Sequence, residues 1–170
     1  MMSSFSRPIF ALLLLAAVFT TGCGRKEITT LQRKEAANIA SEAQFALTLR
    51  DYSRAEPLLA KAVALCPDAS AYWQSLGAVR RRLGNRAGAK EAYTRMLDEA
   101  KSQYRKDSSL ADAVLQEVYA LALLGRMEEA REVLAQAQKK HPEDRILGNF
   151  VGSGQFDRII NDPVFKEIAL

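Results

Sequence analysis

The residues able to carry chemistry in this chain are few: Cys23 and Cys66, a single histidine (His141), the triplet Gly152-Ser153-Gly154, and adjacent carboxylates such as Glu128-Glu129. A zinc site needs several nitrogen or sulfur ligands, and one histidine without a nearby cysteine supplies no such set. Nucleophilic serine chemistry needs a strand-to-helix elbow and a general base, and Gly152-Ser153-Gly154 has neither a strand before it nor a base near it in sequence. No glycine-rich phosphate loop follows a strand pattern. The Glu128-Glu129 pair sits in an amphipathic helical stretch, where solvent-facing carboxylates are the simplest reading. These observations argue for a protein that is not an enzyme and has neither a metal nor a cofactor. Function is then expected to lie in surfaces, and the question becomes which elements form them.

Composition narrows the surfaces. Of 170 residues, 24 are Lys or Arg and 20 are Asp or Glu, a formal net charge of +4. The charges are interspersed, as in Arg126-Met127-Glu128-Glu129-Ala130-Arg131-Glu132, which reads as a solvated helical face. The one dense basic cluster is Arg80-Arg81-Arg82. Three residues distributed around one helix do not make a nucleic-acid stripe, so a nucleic-acid partner is not expected.

The stretch from 70 to 103 organises the rest. It contains Trp73-Gln74-Ser75-Leu76-Gly77, then Leu83-Gly84, then Ala89 and Tyr93. This pattern resembles the tetratricopeptide (TPR) signature, one helix-turn-helix unit per ~34 residues. Stepping back 34 residues takes Ala89 and Tyr93 to Ala55 and Leu59, and Gly77 to Ala43. Stepping forward needs 41 residues and reaches Ala130, Leu134, Leu124-Gly125 and Val118. Pro67 and Pro142 close the flanking units, whereas Lys101 stands at that place in the central one. The resemblance covers 35–142 and implies units at 35–69, 70–103 and 109–142, with an insertion at about 102–108. The expected fold is all-α: a right-handed solenoid of three TPR helix-turn-helix units. The second helix of the central unit is expected to be lengthened and to project from the stack, a looser loop being the alternative. Thr29 with Gln32, and Ser53 with Glu56, offer capping boxes.

Residues 143–170 alternate apolar and breaking segments: Ile146, Leu147, Phe150 and Val151; then Gly152-Ser153-Gly154; then Phe156, Ile159 and Ile160; then Asp162-Pro163 ahead of Val164, Phe165, Ile168 and Leu170. Pro suits the first position of a helix. A solenoid needs its end closed, and the helix near 109–124 is apolar on two faces, so this segment is expected to be a C-terminal helical cap.

Residues 1–22 read as a signal peptide. Arg7 precedes an apolar run at 9–19, shorter than the about 20 residues that span a bilayer. Thr20-Thr21-Gly22-Cys23 resembles a bacterial lipobox, with Thr20 where Leu is commonest. The resemblance implies that Cys23 is acylated, carrying palmitate-type chains, and becomes the new N-terminus, with 23–34 as an acylated tether. An ordinary signal peptide cleaved nearby is the alternative. Gly24 rather than Asp implies an outer membrane location facing the periplasm in a Gram-negative cell. Cys66 would then be the one thiol in an oxidising compartment, either a small buried residue at a helix end or half of an intermolecular disulfide.

TPR stacks bind peptides or helices in a concave groove lined by the first helix of each unit. At helical spacing the groove residues are Gln44 in the first unit, Gln74, Ala78, Arg81 and Arg82 in the second, and Leu115 and Tyr119 in the third. Arg81 and Arg82 are placed to pair with a carboxylate, the alternatives being that both are merely solvated or that the tail fills the groove. Arg80 occupies a core-stripe slot and is expected to bridge to one or both of Glu42 and Glu117 on neighbouring first helices, snorkelling to solvent being the alternative. The function this implies is an envelope-anchored adaptor mediating protein–protein interaction in assembly or stability of an envelope complex. The alternative is a receptor for a peptide, a small ligand or a peptidoglycan fragment.

Overall fold

A computed structural model describes residues 27–109 and 111–170, so Cys23 and the segment expected to be a signal peptide lie outside the described residues. It is all-helical, and no strand occurs among the described residues. The helices are α1 (Thr30–Thr48), α2 (Tyr52–Leu65), α3 (Ser70–Arg82), α4 (Arg86–Lys106), α5 (Ala111–Leu123), α6 (Met127–Lys140), α7 (Arg145–Gly152), α8 (Gln155–Asn161) and α9 (Pro163–Ile168). Helices α1 to α8 pack mainly on their neighbours in sequence, so α1–α2, α3–α4 and α5–α6 form hairpins that stack in order, while α9 returns to pack on α3.

Local chemistry sets the boundaries. Thr29 and Gln32 cap α1 reciprocally: the Gln32 N–H donates to Thr29 Oγ1 at 3.2 Å, and the Thr29 N–H donates to Gln32 Oε1 at 3.0 Å. The second expected box, Ser53 with Glu56, does not form. Asp51 caps α2 instead, accepting from the Arg54 N–H at 3.0 Å, because the helix begins two residues earlier, at Tyr52. Asn85 caps α4, Asp144 caps α7 and Asp162 caps α9, the last with Pro163 in the first helical position. The three hairpin turns share one backbone feature. Gly84 and Gly125 are left-handed, with φ of 79° and 75°, and Arg50 takes the same conformation at φ 57°. Positions 50, 84 and 125 are separated by the same two steps that relate the hairpins.

Apolar packing divides into two connected clusters. Ala43, Leu59, Leu76 and Val79 anchor the N-terminal one. Tyr93, Met96, Val114, Val118 and Leu121 anchor the other, together with Leu147, Phe156, Phe165 and Ile168 from the tail. Trp73 touches both, and its indole N–H donates to the Pro67 carbonyl at 2.9 Å, tying the α2–α3 connection to the core. The tail thus covers α5 on the side that a third hairpin would leave bare, which offsets the cost of exposing that apolar surface.

Two expectations about side chains and shape are corrected. Helix α4 is lengthened, 21 residues against 14 for α2 and for α6, but its extra turns do not project. Tyr104 lies against the core and accepts from Lys140 Nζ at 3.2 Å, while Gln103 Nε2 donates to the Asp68 carbonyl at 3.5 Å. The extension is an amphipathic continuation with partners on both sides. Arg80 reaches neither Glu42 nor Glu117. Its Nε donates to Glu56 Oε1 at 2.9 Å, and Nη1 approaches Glu91 at 3.6 Å and the Gly88 carbonyl at 3.3 Å. The side chain runs between α2 and α4, so it meets acids of the second helices rather than of the first. Gly88 makes room for it: a Cβ there would lie 2.9 Å from Arg80 Cδ.

Candidate functional site: the inner face and its tail-walled recess

The expected groove residues fall into three groups. Gln44 is exposed on α1, away from the tail. Ala78, Arg81 and Arg82 lie under α9 and the residues after it. Gln74, Leu115 and Tyr119 come together in a recess.

The tail engages the arginine group through its backbone and one acid. Arg81 Nε donates to the Ala169 carbonyl at 2.9 Å. Tyr93 Oη donates to the Ile168 carbonyl at 2.8 Å, and the Leu170 N–H donates to the Leu123 carbonyl at 2.9 Å. Arg82 pairs with Glu167 at 3.6 Å and stacks its guanidinium 5.4 Å from the Tyr52 ring. Phe165 meets the Tyr119 ring edge-on at 5.6 Å. Burial pushes the Tyr93 hydroxyl well above the ordinary phenol range, so it stays a donor at any physiological pH. Between an open groove and a groove filled by 143–170, the arginine end is filled. Arg81 and Arg82 are therefore engaged within the chain rather than waiting for a ligand carboxylate.

The recess is what the tail leaves open. It holds about 270 Å³ and opens between α3, α5 and the α7–α8 arm. Met96 and Val118 form its buried floor, and Leu115 and Tyr119 one wall. Phe150, Phe156 and Ile159 form the facing wall, with Gln74, Asp112 and Gln116 as its polar members. Gln116 Oε1 is buried and has no hydrogen-bond partner among the described residues. A buried unpaired acceptor in a mostly apolar recess is a feature that a donor-bearing occupant or a water would satisfy. Chemically the recess suits one apolar or aromatic group with a hydrogen-bond donor at its edge, the usual construction of a small binding site.

Sequence reasoning missed Met96, Gln116, Phe150, Phe156 and Ile159 as lining residues. The apolar pattern of the tail marked Phe150, Phe156 and Ile159 as inward-facing, but the surface they meet is a long-range property. Cys66 is buried at 3% exposure, and Arg33 Nη1 lies 3.9 Å from its sulfur while the same guanidinium pairs with Asp68 at 2.7 Å. Burial pushes its thiol up, which leaves little thiolate for disulfide exchange. The structural reading of Cys66 is therefore favoured over the intermolecular disulfide.

Among the described residues no group of His, Cys, Asp and Glu is placed to hold a metal ion, and no helix is long and apolar enough to cross a membrane. Comparison with protein families, curated proteins and solved structures finds no match to this chain.

Proposed function

We propose that the chain is a TPR-type adaptor held to a bacterial envelope membrane by acyl chains on Cys23, and that it docks a protein partner through its inner face. The hairpin steps of 34 and 41 residues, with left-handed residues recurring at Arg50, Gly84 and Gly125, support the repeat reading. The apolar leader ending at Thr20-Thr21-Gly22-Cys23 supports the anchor. The observation that carries the docking reading is the recess, where Gln74, Leu115 and Tyr119 from two successive first helices meet a wall of tail aromatics.

A partner would insert one apolar side chain there, with Gln116 accepting from its backbone or side-chain N–H. Such a buried anchor contributes more to affinity than the surrounding rim contacts. The test places a photo-crosslinking residue at Gln74 in the full-length protein, expressed in its own host, with a control at Lys90 on the outer face. A single dominant protein adduct at Gln74, absent at Lys90, is the expected result. An adduct only to residues 143–170, or none, overturns the docking reading. Mass spectrometry of the mature N-terminus tests the anchor: an acylated Cys23 is expected, and an unmodified N-terminus elsewhere contradicts it.

A further inference from the structure

The two additional turns of α4 build a second surface, which shares α5 with the recess but none of its lining residues. Between α4, α5 and α6 lies a trough of about 410 Å³. Its floor is apolar, made by Val114, Val133 and Ala137. Its rim carries three cations, Lys101 and Arg105 from α4 and Lys140 from α6. Among the described residues the one carboxylate lining it is Glu117, whose side chain is 12% exposed and lies 3.7 Å from Lys101.

Two of the three charges have partners at the trough. Lys140 Nζ sits 5.1 Å from the Tyr104 ring centre and donates to its hydroxyl, so its ammonium is fixed at the mouth. Arg105 makes no ion pair among the described residues. Lys101 pairs with Glu117 at 3.7 Å and also acts on Glu129, which is itself paired with Arg126. The lining holds three cations against one acid, and the nearby Glu129 is offset by Arg126, so the trough is net positive over an apolar floor.

We propose that this trough docks an acidic amphipathic segment of a protein partner, its aliphatic side chains on Val114, Val133 and Ala137 and its carboxylates on Lys101, Arg105 and Lys140. Charge complementarity names the sign of the partner, and the concave apolar floor favours a segment with side chains over a flat lipid surface. Arg105 supplies the planar donor fork suited to carboxylate, and Lys140 a point charge. Such a contact speeds encounter and weakens as salt rises.

The test uses the full chain in phosphatidylcholine nanodiscs. The probe is a fluorescein-labelled helical peptide with a Leu stripe on one face and Glu flanking it, and its binding is read by anisotropy. Arg105→Gln/Lys140→Gln keeps the Lys101–Glu117 pair and the fold, and is expected to weaken binding at least tenfold. Arg86→Gln/Lys90→Gln, which removes the same charge elsewhere, is expected to change it less than twofold. No binding of the probe, or equal loss in both variants, overturns the proposal. Soluble dihexanoyl phosphatidylglycerol is the competing probe. If it binds in a manner abolished by Arg105→Gln/Lys140→Gln while the peptide does not bind, the trough is a headgroup site and the proposal is wrong.

Discussion

Gly77 on α3 faces the ring of Tyr93 on α4 so closely that a Cβ at position 77 would overlap ring carbons. The equivalent pairs in the other hairpins are Ala43 with Leu59 and Val118 with Leu134, where the second member is smaller than tyrosine. Glycine is therefore required at 77 by the aromatic across from it. Gly77→Ala is expected to destabilise by about 1–3 kcal/mol through overpacking. In urea denaturation, a cycle with Tyr93→Leu should show that the double variant loses less than the sum of the singles. Additive losses would mean that the close approach is not the cause.

Arg50 occupies the left-handed turn position that glycine fills at 84 and 125. A side chain there costs roughly 1–2 kcal/mol, partly offset by the greater backbone entropy of unfolded glycine. Arg50→Gly is expected to stabilise by about 0.5–1 kcal/mol, read as a higher midpoint. Gly84→Ala should move the midpoint the other way, because nothing surrounds that Cβ and only the backbone is strained.

Arg80 and Glu56 form an ion pair at 2.9 Å, with side chains 18% and 29% exposed. A double-mutant cycle with Arg80→Met and Glu56→Gln is expected to give a coupling of about 1 kcal/mol, at the top of the range typical of exposed pairs. The same cycle between Arg80 and Glu117 should give a coupling near zero. The reverse ranking would contradict the side-chain path between α2 and α4.

Burial raises the Glu117 carboxyl above its ordinary value, and Lys101 only partly opposes this. The folded state then binds its proton more tightly than the unfolded state. Stability from this group is present below the ordinary carboxylate range and is lost as pH rises through the raised folded value. Glu117→Gln removes that slope. The variant is expected to gain on the parent as pH rises from 4 toward 7, measured by denaturation at each pH, and a gain that grows toward acid would reverse the sign.

Much of the helical architecture is legible in local spacing. Ala89 and Tyr93, with their counterparts one step either way, mark second helices because small and large residues four apart share a helix face. Asp162-Pro163 marks the start of α9 by the same local chemistry that caps any helix. What local spacing does not encode is the partner across a gap. Helical periodicity puts Arg80 on an inner face, but whether it meets Glu42, Glu117 or Glu56 depends on the tilt between hairpins. Lys101 in place of proline lets α4 continue, but its direction follows from Tyr104 and Lys140 meeting about two helices later in the chain. The recess exists only because tail aromatics return over α5, a contact spanning the third hairpin.

The docking claim is tested most directly by filling the recess. Leu115→Trp places an indole in about 270 Å³ of open volume, beside Phe150 and Phe156. The yield of the protein adduct formed from a photo-crosslinking residue at Gln74 would be compared in the parent and in this variant, with melting curves confirming that both are folded. The account predicts at least a tenfold loss of adduct with the fold retained. An undiminished yield from a folded Leu115→Trp protein would contradict it.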